Sequence, residues 1–173
     1  IWIASLGGGL QCLEPLSGTF ETYTSNNSAL LENNVTSLCW VDDNTLFFGT
    51  ASQGVGTMDM RTREIKKIQG QSDSMKLSND AVNHVYKDSR GLVWIATREG
   101  LNVYDTRRHM FLDLFPVVEA KGNFIAAITE DQERNMWVST SRKVIRVTVA
   151  SDGKGSYLFD SRAYNSEDGL QNC

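Results

Sequence analysis

The chain of 173 residues has two prolines, three cysteines, two histidines and no long apolar run. Each scarcity closes off a class of protein. Cys12, Cys39 and Cys173 are odd in number and lie at no metal-ligand spacing, so neither a disulfide framework nor a zinc site is expected, and the thiols are read as unpaired and mostly buried. No stretch approaches the roughly 18 apolar residues of a membrane span, so direct membrane insertion is not expected. Positive charge is not in excess either: 17 Lys+Arg against 21 Asp+Glu leave a net charge of −4, with no basic stripe to track phosphates, which argues against a nucleic-acid partner. The first residues, Ile1-Trp2-Ile3-Ala4-Ser5, carry neither an initiator Met nor a basic leader, and residue 1 is expected not to be a natural start. No segment sustains a helical period. No Ser–His–Asp order, nucleophile elbow or phosphate loop is visible, because Gly7-Gly8-Gly9 has no helix after it.

What remains is a globular composition, 40% hydrophobic and 22% charged, arranged in an internal repeat. Val93-Trp94-Ile95-Ala96-Thr97, Met136-Trp137-Val138-Ser139-Thr140 and Ile1-Trp2-Ile3-Ala4-Ser5 share one pattern, and Leu46-Phe47-Phe48-Gly49-Thr50 fits it with Phe in place of Trp. The anchors Trp2, Phe47, Trp94 and Trp137 are 45, 47 and 43 residues apart. Twelve residues before the last three stand Val35, Val82 and Ile125, and nine before stand Leu38, Val85 and Ile128. A Gly-apolar step follows as Gly9-Leu10, Gly54-Val55 and Gly100-Leu101, with Lys143-Val144 departing from it. Then an acid precedes an apolar residue by six: Glu14 and Phe20, Asp59 and Ile65, Asp105 and Phe111.

Within one period these markers delimit four short runs rich in β-branched and aromatic residues, separated by turn chemistry. In the third copy strands a to d are read as 82–87, 92–97, 101–105 and 111–114. A meander of this size cannot bury both of its faces alone, whereas radial stacking covers each sheet with its neighbours, and tryptophan suits the layer between them. The fold class is therefore all-β, an arc of four-stranded antiparallel propeller blades in an incomplete ring. Blade 1 spans 1–24 and lacks strand a; blades 2, 3 and 4 span 33–69, 79–115 and 123–161; residues 162–173 are read as the linker to a next blade. The count is fifteen strands.

Residues 88–105, with Gly91, Trp94 and Thr97 in a Gly-x-x-Trp-x-x-Thr core and Gly100-Leu101 and Asp105 at the finish, closely resemble the two-component regulator propeller repeat. The tail 164–172 resembles the segment that introduces a late blade in such proteins. The resemblance implies the periplasmic sensor region of a bacterial hybrid two-component system. There, propellers precede a membrane span and a histidine kinase, and the sensor detects oligosaccharides released from glycans. It implies as partners an oligosaccharide, the remaining blades and a second copy in a homodimer, and it implies no cofactor.

Candidate ligand-binding residues come from the b–c and d–a loops, which propeller geometry gathers around one mouth of the channel: Arg98, Glu99, Arg142, Asn79 and Asp80, with side chains able to hydrogen-bond sugar hydroxyls or a uronate. His84 joins them because it replaces Ser37 and Ala127 of the other copies; it is either a packing histidine or a group facing the channel. The four anchor aromatics recur at the repeat's own period and are read as structural, against the alternative of stacking on sugars. Asp42-Asp43 and Glu130-Asp131 are adjacent acids for which turn roles suffice, and no catalytic or metal-binding residue is assigned. Two other functions remain open from sequence: a protein-interaction scaffold, and a propeller lyase or glycosidase with His84 as its first candidate. The d–a insertion 115–123, which carries Pro116-Val117-Val118, is expected to cover an edge or touch another domain.

Overall fold

A computed structural model describes residues 1–72, 75–114, 117, 120–153 and 155–170. Its strands fall into four antiparallel sheets, each a simple meander. Blade 1 is three-stranded, β1 (Trp2–Ser5), β2 (Gly9–Glu14) and β3 (Thr19–Tyr23). Blade 2 is β4 (Val35–Asp42), β5 (Thr45–Thr50), β6 (Val55–Asp59) and β7 (Ile65–Lys67). Blade 3 is β8 (Val82–Lys87), β9 (Leu92–Thr97), β10 (Gly100–Asp105) and β11 (Met110–Leu112). Blade 4 is β12 (Ile125–Glu130), β13 (Met136–Thr140), β14 (Val144–Ser151) and β15 (Tyr157–Tyr164). The fifteen strands, and the absence of strand a from blade 1, agree with the arithmetic of the repeat among the described residues. Among the described residues the four sheets follow one another along the chain and none closes on itself.

Three features of the repeat explain why the chain turns where it does. At the end of the third strand the acid accepts backbone N–H groups of the hairpin beyond it: Asp59 takes Arg61 and Thr62 at 2.8 and 2.9 Å, and Asp105 takes Arg107 and Arg108 at 2.9 and 3.2 Å. Those two N–H groups, Thr62 first, hold the Asp59 carboxyl below its ordinary pKa. At the end of the second strand a threonine closes the next turn, Thr50 Oγ1 donating to Gly54 O at 2.7 Å and Thr97 Oγ1 to Gly100 O at 2.8 Å. Before the second strand an aspartate holds the indole: Trp94 Nε1 donates to Asp88 at 3.0 Å and Trp137 Nε1 to Asp131 at 2.7 Å. Asp88 also accepts the N–H groups of Arg90 and Leu92, each at 2.9 Å, which closes the turn around Gly91.

Blade 4 departs from the expected limits. β15 continues to Tyr164, three residues past 161, because eight residue pairs zip it to β14 and Tyr164 stacks on Trp137 at 5.8 Å. The reading of 162–173 as linker is corrected to that extent. Residues Ser166–Asp168 form a 3₁₀ turn capped by Asn165, which accepts Glu167 N–H while Asp168 accepts Asn165 N–H. Of the apolar insertion, Phe115, Pro116 and Val118 lie outside the described residues, as does Cys173; Val117 and Ala120 are buried in the core between blades 3 and 4.

The cores lie between blades rather than within them. Trp2 packs forward with Leu10 and Tyr23 against Val35, Leu46 and Phe48 of blade 2. Phe47 and Val55 pack against Val85, Ile95 and Tyr104 of blade 3. Trp94 and Val103 pack against Ile128, Met136 and Ile145 of blade 4, with Phe159 edge-on to the indole at 5.9 Å. Every residue of β9 is buried, as a strand covered on both faces should be. The anchor of each blade thus faces the next blade along the chain. Cys12 and Cys39 are free thiols, half-buried, and burial pushes the Cys39 thiol up to about 12.

Candidate functional site

The inner strands β4, β8 and β12 lie side by side along the axis of the arc. Each carries a β-bulge at its second residue, where pairing skips Thr36, Asn83 and Ala126. Two residues past the bulge in β8 and in β12, a backbone N–H bonds the preceding blade. Val85 N–H donates to Ser37 Oγ at 3.1 Å, and Ile128 N–H donates to His84 Nδ1 at 3.1 Å. Asn83 Nδ2 adds a bond to Ile125 O at 2.7 Å. His84 is therefore a clip between blades 3 and 4, its Nδ1 occupied as an acceptor. Burial lowers its pKa from the ordinary histidine value.

The b–c and d–a loops meet on one face, through backbone bonds. Gly7 and Gly9 N–H both donate to Asn33 O, at 3.0 and 2.9 Å, Gly54 N–H donates to Asp80 O at 2.9 Å, and Gly122 N–H to Glu99 O at 3.2 Å. Each turn of one blade is thereby laced to the strap leading into the next. Asn79, Asp80, Arg98 and Glu99 are brought into one neighbourhood, since Arg98 N–H bonds Ala81 O at 3.0 Å. Arg142 belongs to the corresponding turn of blade 4, where its N–H donates to Thr140 Oγ1 at 3.2 Å. Asp80, Arg98, Glu99 and Arg142 are exposed, whereas Asn79 is half-buried and accepts Ala81 N–H at 2.8 Å, which starts β8.

Two recesses open on this face, and they divide the candidates. One, of about 330 Å³, is bounded by Glu99, Ser78, Asn102, Phe111 and Lys121. The other, of about 360 Å³, is bounded by Asn79, Asp80, Lys67 and Gln69. Arg98, Arg142 and His84 line neither. Sequence reasoning missed the floor of the first recess: buried Asn102 accepts Ser78 N–H at 2.9 Å and donates to Ser78 Oγ at 2.8 Å, and Ser78 Oγ lies 2.9 Å from Thr97 Oγ1. The available signal was Asn102 itself, an amide at a strand position that holds Gln11 and Gly56 in the other copies.

The anchor aromatics sit in the packing layers. Trp94 and Phe47 are fully buried, and Trp2 is half-buried against Tyr23 at 5.7 Å, with the Arg63 guanidinium over it at 5.4 Å. Trp137 is half-buried on the outer face of blade 4. Of the adjacent acids, Glu130 accepts Ser89 N–H at 2.8 Å, Ser89 Oγ at 2.7 Å and Arg90 Nη1 at 3.2 Å, tying the first turn of blade 3 to blade 4. Asp131 is held at about 2, mainly by the Trp137 bond and next by Asn135. Asp42 accepts Asn44 N–H at 2.8 Å within its own turn. The face opposite the loops thus uses these acids for structure. Among the described residues no group of three or more His, Cys, Asp or Glu side chains is placed to hold a metal ion.

Residues 76–99, from the strap before β8 to the turn after β9, match the family model of the two component regulator propeller. The match falls on the third copy of the repeat, the one whose sequence resembles that family. No curated protein is detectably similar to the chain in sequence. In fold it is similar to the extracellular domain of the putative hybrid two component system BT3049 from B. thetaiotaomicron, with a TM-score of 0.72 at 19% identity. A second likeness is to the extracellular domain of BT4673, described as a putative hybrid two component system of the same organism, with a TM-score of 0.70 at 17% identity. Both comparisons cover 99% of this chain, which spans only 21% and 23% of those domains. An auxiliary nutrient binding protein from Bacteroides thetaiotaomicron is also similar, with a TM-score of 0.64 at 9% identity over 94% of this chain and 38% of its own. At these identities the likeness establishes the propeller fold.

Proposed function

We propose that the chain is an arc of the ligand-sensing propeller of a hybrid two-component system, on the periplasmic side of the membrane, and that the ligand is an oligosaccharide derived from a glycan. The observation that carries this reading is the family repeat at 76–99, set in a fold shared with extracellular sensor domains. Supporting it, exposed Asp80, Arg98, Glu99 and Arg142 gather on the loop face with free side-chain donors and acceptors of the kind that sugar hydroxyls and carboxylates pair with. Among the described residues no helix is long and apolar enough to cross a membrane. The role is binding rather than turnover, with signalling to transcription relayed by a histidine kinase elsewhere in the parent and with the parent working as a homodimer.

The test is a thermal-shift and calorimetry panel of neutral and acidic oligosaccharides on the complete propeller. The expected outcome is saturable binding of one ligand without its hydrolysis or elimination, weakened at least tenfold by Glu99→Gln or Arg98→Gln. A panel without any shift would leave a protein-docking role, and product formation lost on His84→Ala would make the domain an enzyme.

A further inference from the structure

The outermost strand of blade 4 is unlike those of the other blades. β3, β7 and β11 have five, three and three residues, whereas β15 runs for eight, from Tyr157 to Tyr164, at the edge of its sheet. An exposed edge of that length is a template for another strand, which is why edges are ordinarily kept short. Its open groups follow from the hairpin. Asp152 N–H donates to Ser156 O at 3.1 Å, and the residue pairs that follow alternate between bonded and unbonded, so Leu158, Asp160, Arg162 and Tyr164 bond β14. The N–H and C=O groups of Phe159, Ser161 and Ala163 therefore point away from the sheet. Among the described residues no backbone bond reaches them.

The side chains on one face of this edge stand in a self-complementary order. Asp160 and Arg162 are exposed, Leu158 is 62% exposed, and the Arg162 guanidinium lies over Tyr164, 4.9 Å from the ring centroid. Within its own sheet Arg162 is directly opposite Arg146, and like charges in that relation are destabilising. Asp160 is opposite Thr148 and forms no ion pair among the described residues.

A second β15, run antiparallel about a two-fold axis at Ser161, answers each of these features. Phe159 exchanges backbone hydrogen bonds with Ala163 of the partner subunit, Ala163 with the partner's Phe159, and the two copies of Ser161 with each other. Asp160 comes opposite the partner's Arg162, Arg162 opposite the partner's Asp160, and Leu158 opposite the partner's Tyr164, as unbonded pairs whose side chains approach closest. The register is selected too. Moving the axis to residue 160 or 162, the nearest alternatives in which the open groups still pair, sets Asp160 against Asp160 or Arg162 against Arg162.

We infer that the outer edge of β15 is a self-association surface, which pairs antiparallel with the same strand of a second copy through contacts between Asp160 and Arg162. This gives an interface to the homodimer proposed above, and the two can fail separately.

The test is sedimentation velocity of the complete propeller over a concentration series. A contact of one strand per copy is small, so reversible association is expected, with Kd on the order of 10 to 100 µM. Asp160→Arg and Arg162→Asp each turn two attractive pairs into two repulsive ones and are expected to weaken it at least about tenfold, while the double variant carrying both restores it to within about threefold. Ser161→Pro removes an N–H that its own sheet does not use and is expected to abolish association while the chain stays folded. A propeller that stays monomeric up to about 1 mM overturns the inference and the homodimer together. A dimer indifferent to the single charge reversals overturns the inference alone and leaves the homodimer on another surface. Association lost in the single variants and not recovered in the double variant also overturns it, because the partner edge is then not β15 of a second copy.

Discussion

Four donors converge on Asp88: the N–H groups of Arg90 and Leu92, the Trp94 indole and the Arg90 guanidinium. The carboxylate is buried, so its removal leaves several of these donors without water to replace it. Asp88→Ala is expected to cost about 3 kcal/mol in a denaturant titration, mainly through the stranded indole and turn. A loss below about 1 kcal/mol would show that the turn is held by Gly91 and packing alone. His84 gives a pH-dependent counterpart. Burial holds its folded-state pKa below the ordinary histidine value of 6.5, so the unfolded chain binds the proton more readily and stability rises with pH through this range. The clip is complete above about pH 6.5 and is lost as pH falls through the folded pKa. His84→Ser, which mimics Ser37, removes the titration; the wild-type Tm is expected to drop relative to this variant between about pH 7 and pH 5. Parallel Tm curves would rule out the acceptor role of Nδ1.

The turns are where the element scale is decided. Gly9 has φ of +75° and approaches blade 1's last strand so closely that a Cβ there would meet Tyr23 O at 2.1 Å, whereas Gly18 has φ of +68° with open space around it. Gly18→Ala therefore measures the left-handed backbone alone, about 1 kcal/mol, and Gly9→Ala must cost more because backbone has to move. Equal losses at the two would mean that the β2–β3 contact yields freely. The strands themselves were legible in the sequence, since alternation and turn residues are local: 82–87 and 92–97 stand where they were expected. So were the loops that share a face, because a meander of fixed order leaves no choice. The bulges at Thr36, Asn83 and Ala126 were not legible, because no turn residue marks them, nor was the pairing of Ser89 and Arg90 with Glu130, which lies in the next blade about 40 residues away. His84 was singled out as a departure from Ser37, but its bond to Ile128 could be read only once blades 3 and 4 lay side by side.

At the scale of the molecule, an array in which every core lies between units has stability that depends on position. Blades 2 and 3 are covered on both sides, while blade 1 leaves Ile1 and Phe20 on an open face, 66% and 58% exposed. Hydrogen exchange is expected to be slowest in β5 and β9 and fastest in β1 and β3. Uniform protection would mean that the arc opens as a single cooperative unit.

The bulged inner strands give the stack a direction. Each blade holds out an acceptor, Ser37 and then His84, and the following blade fills it with a backbone N–H. At the third place in line stands Ala127, a methyl group with nothing to accept. The relay of acceptors from one inner strand to the next therefore runs through two blades and stops at β12.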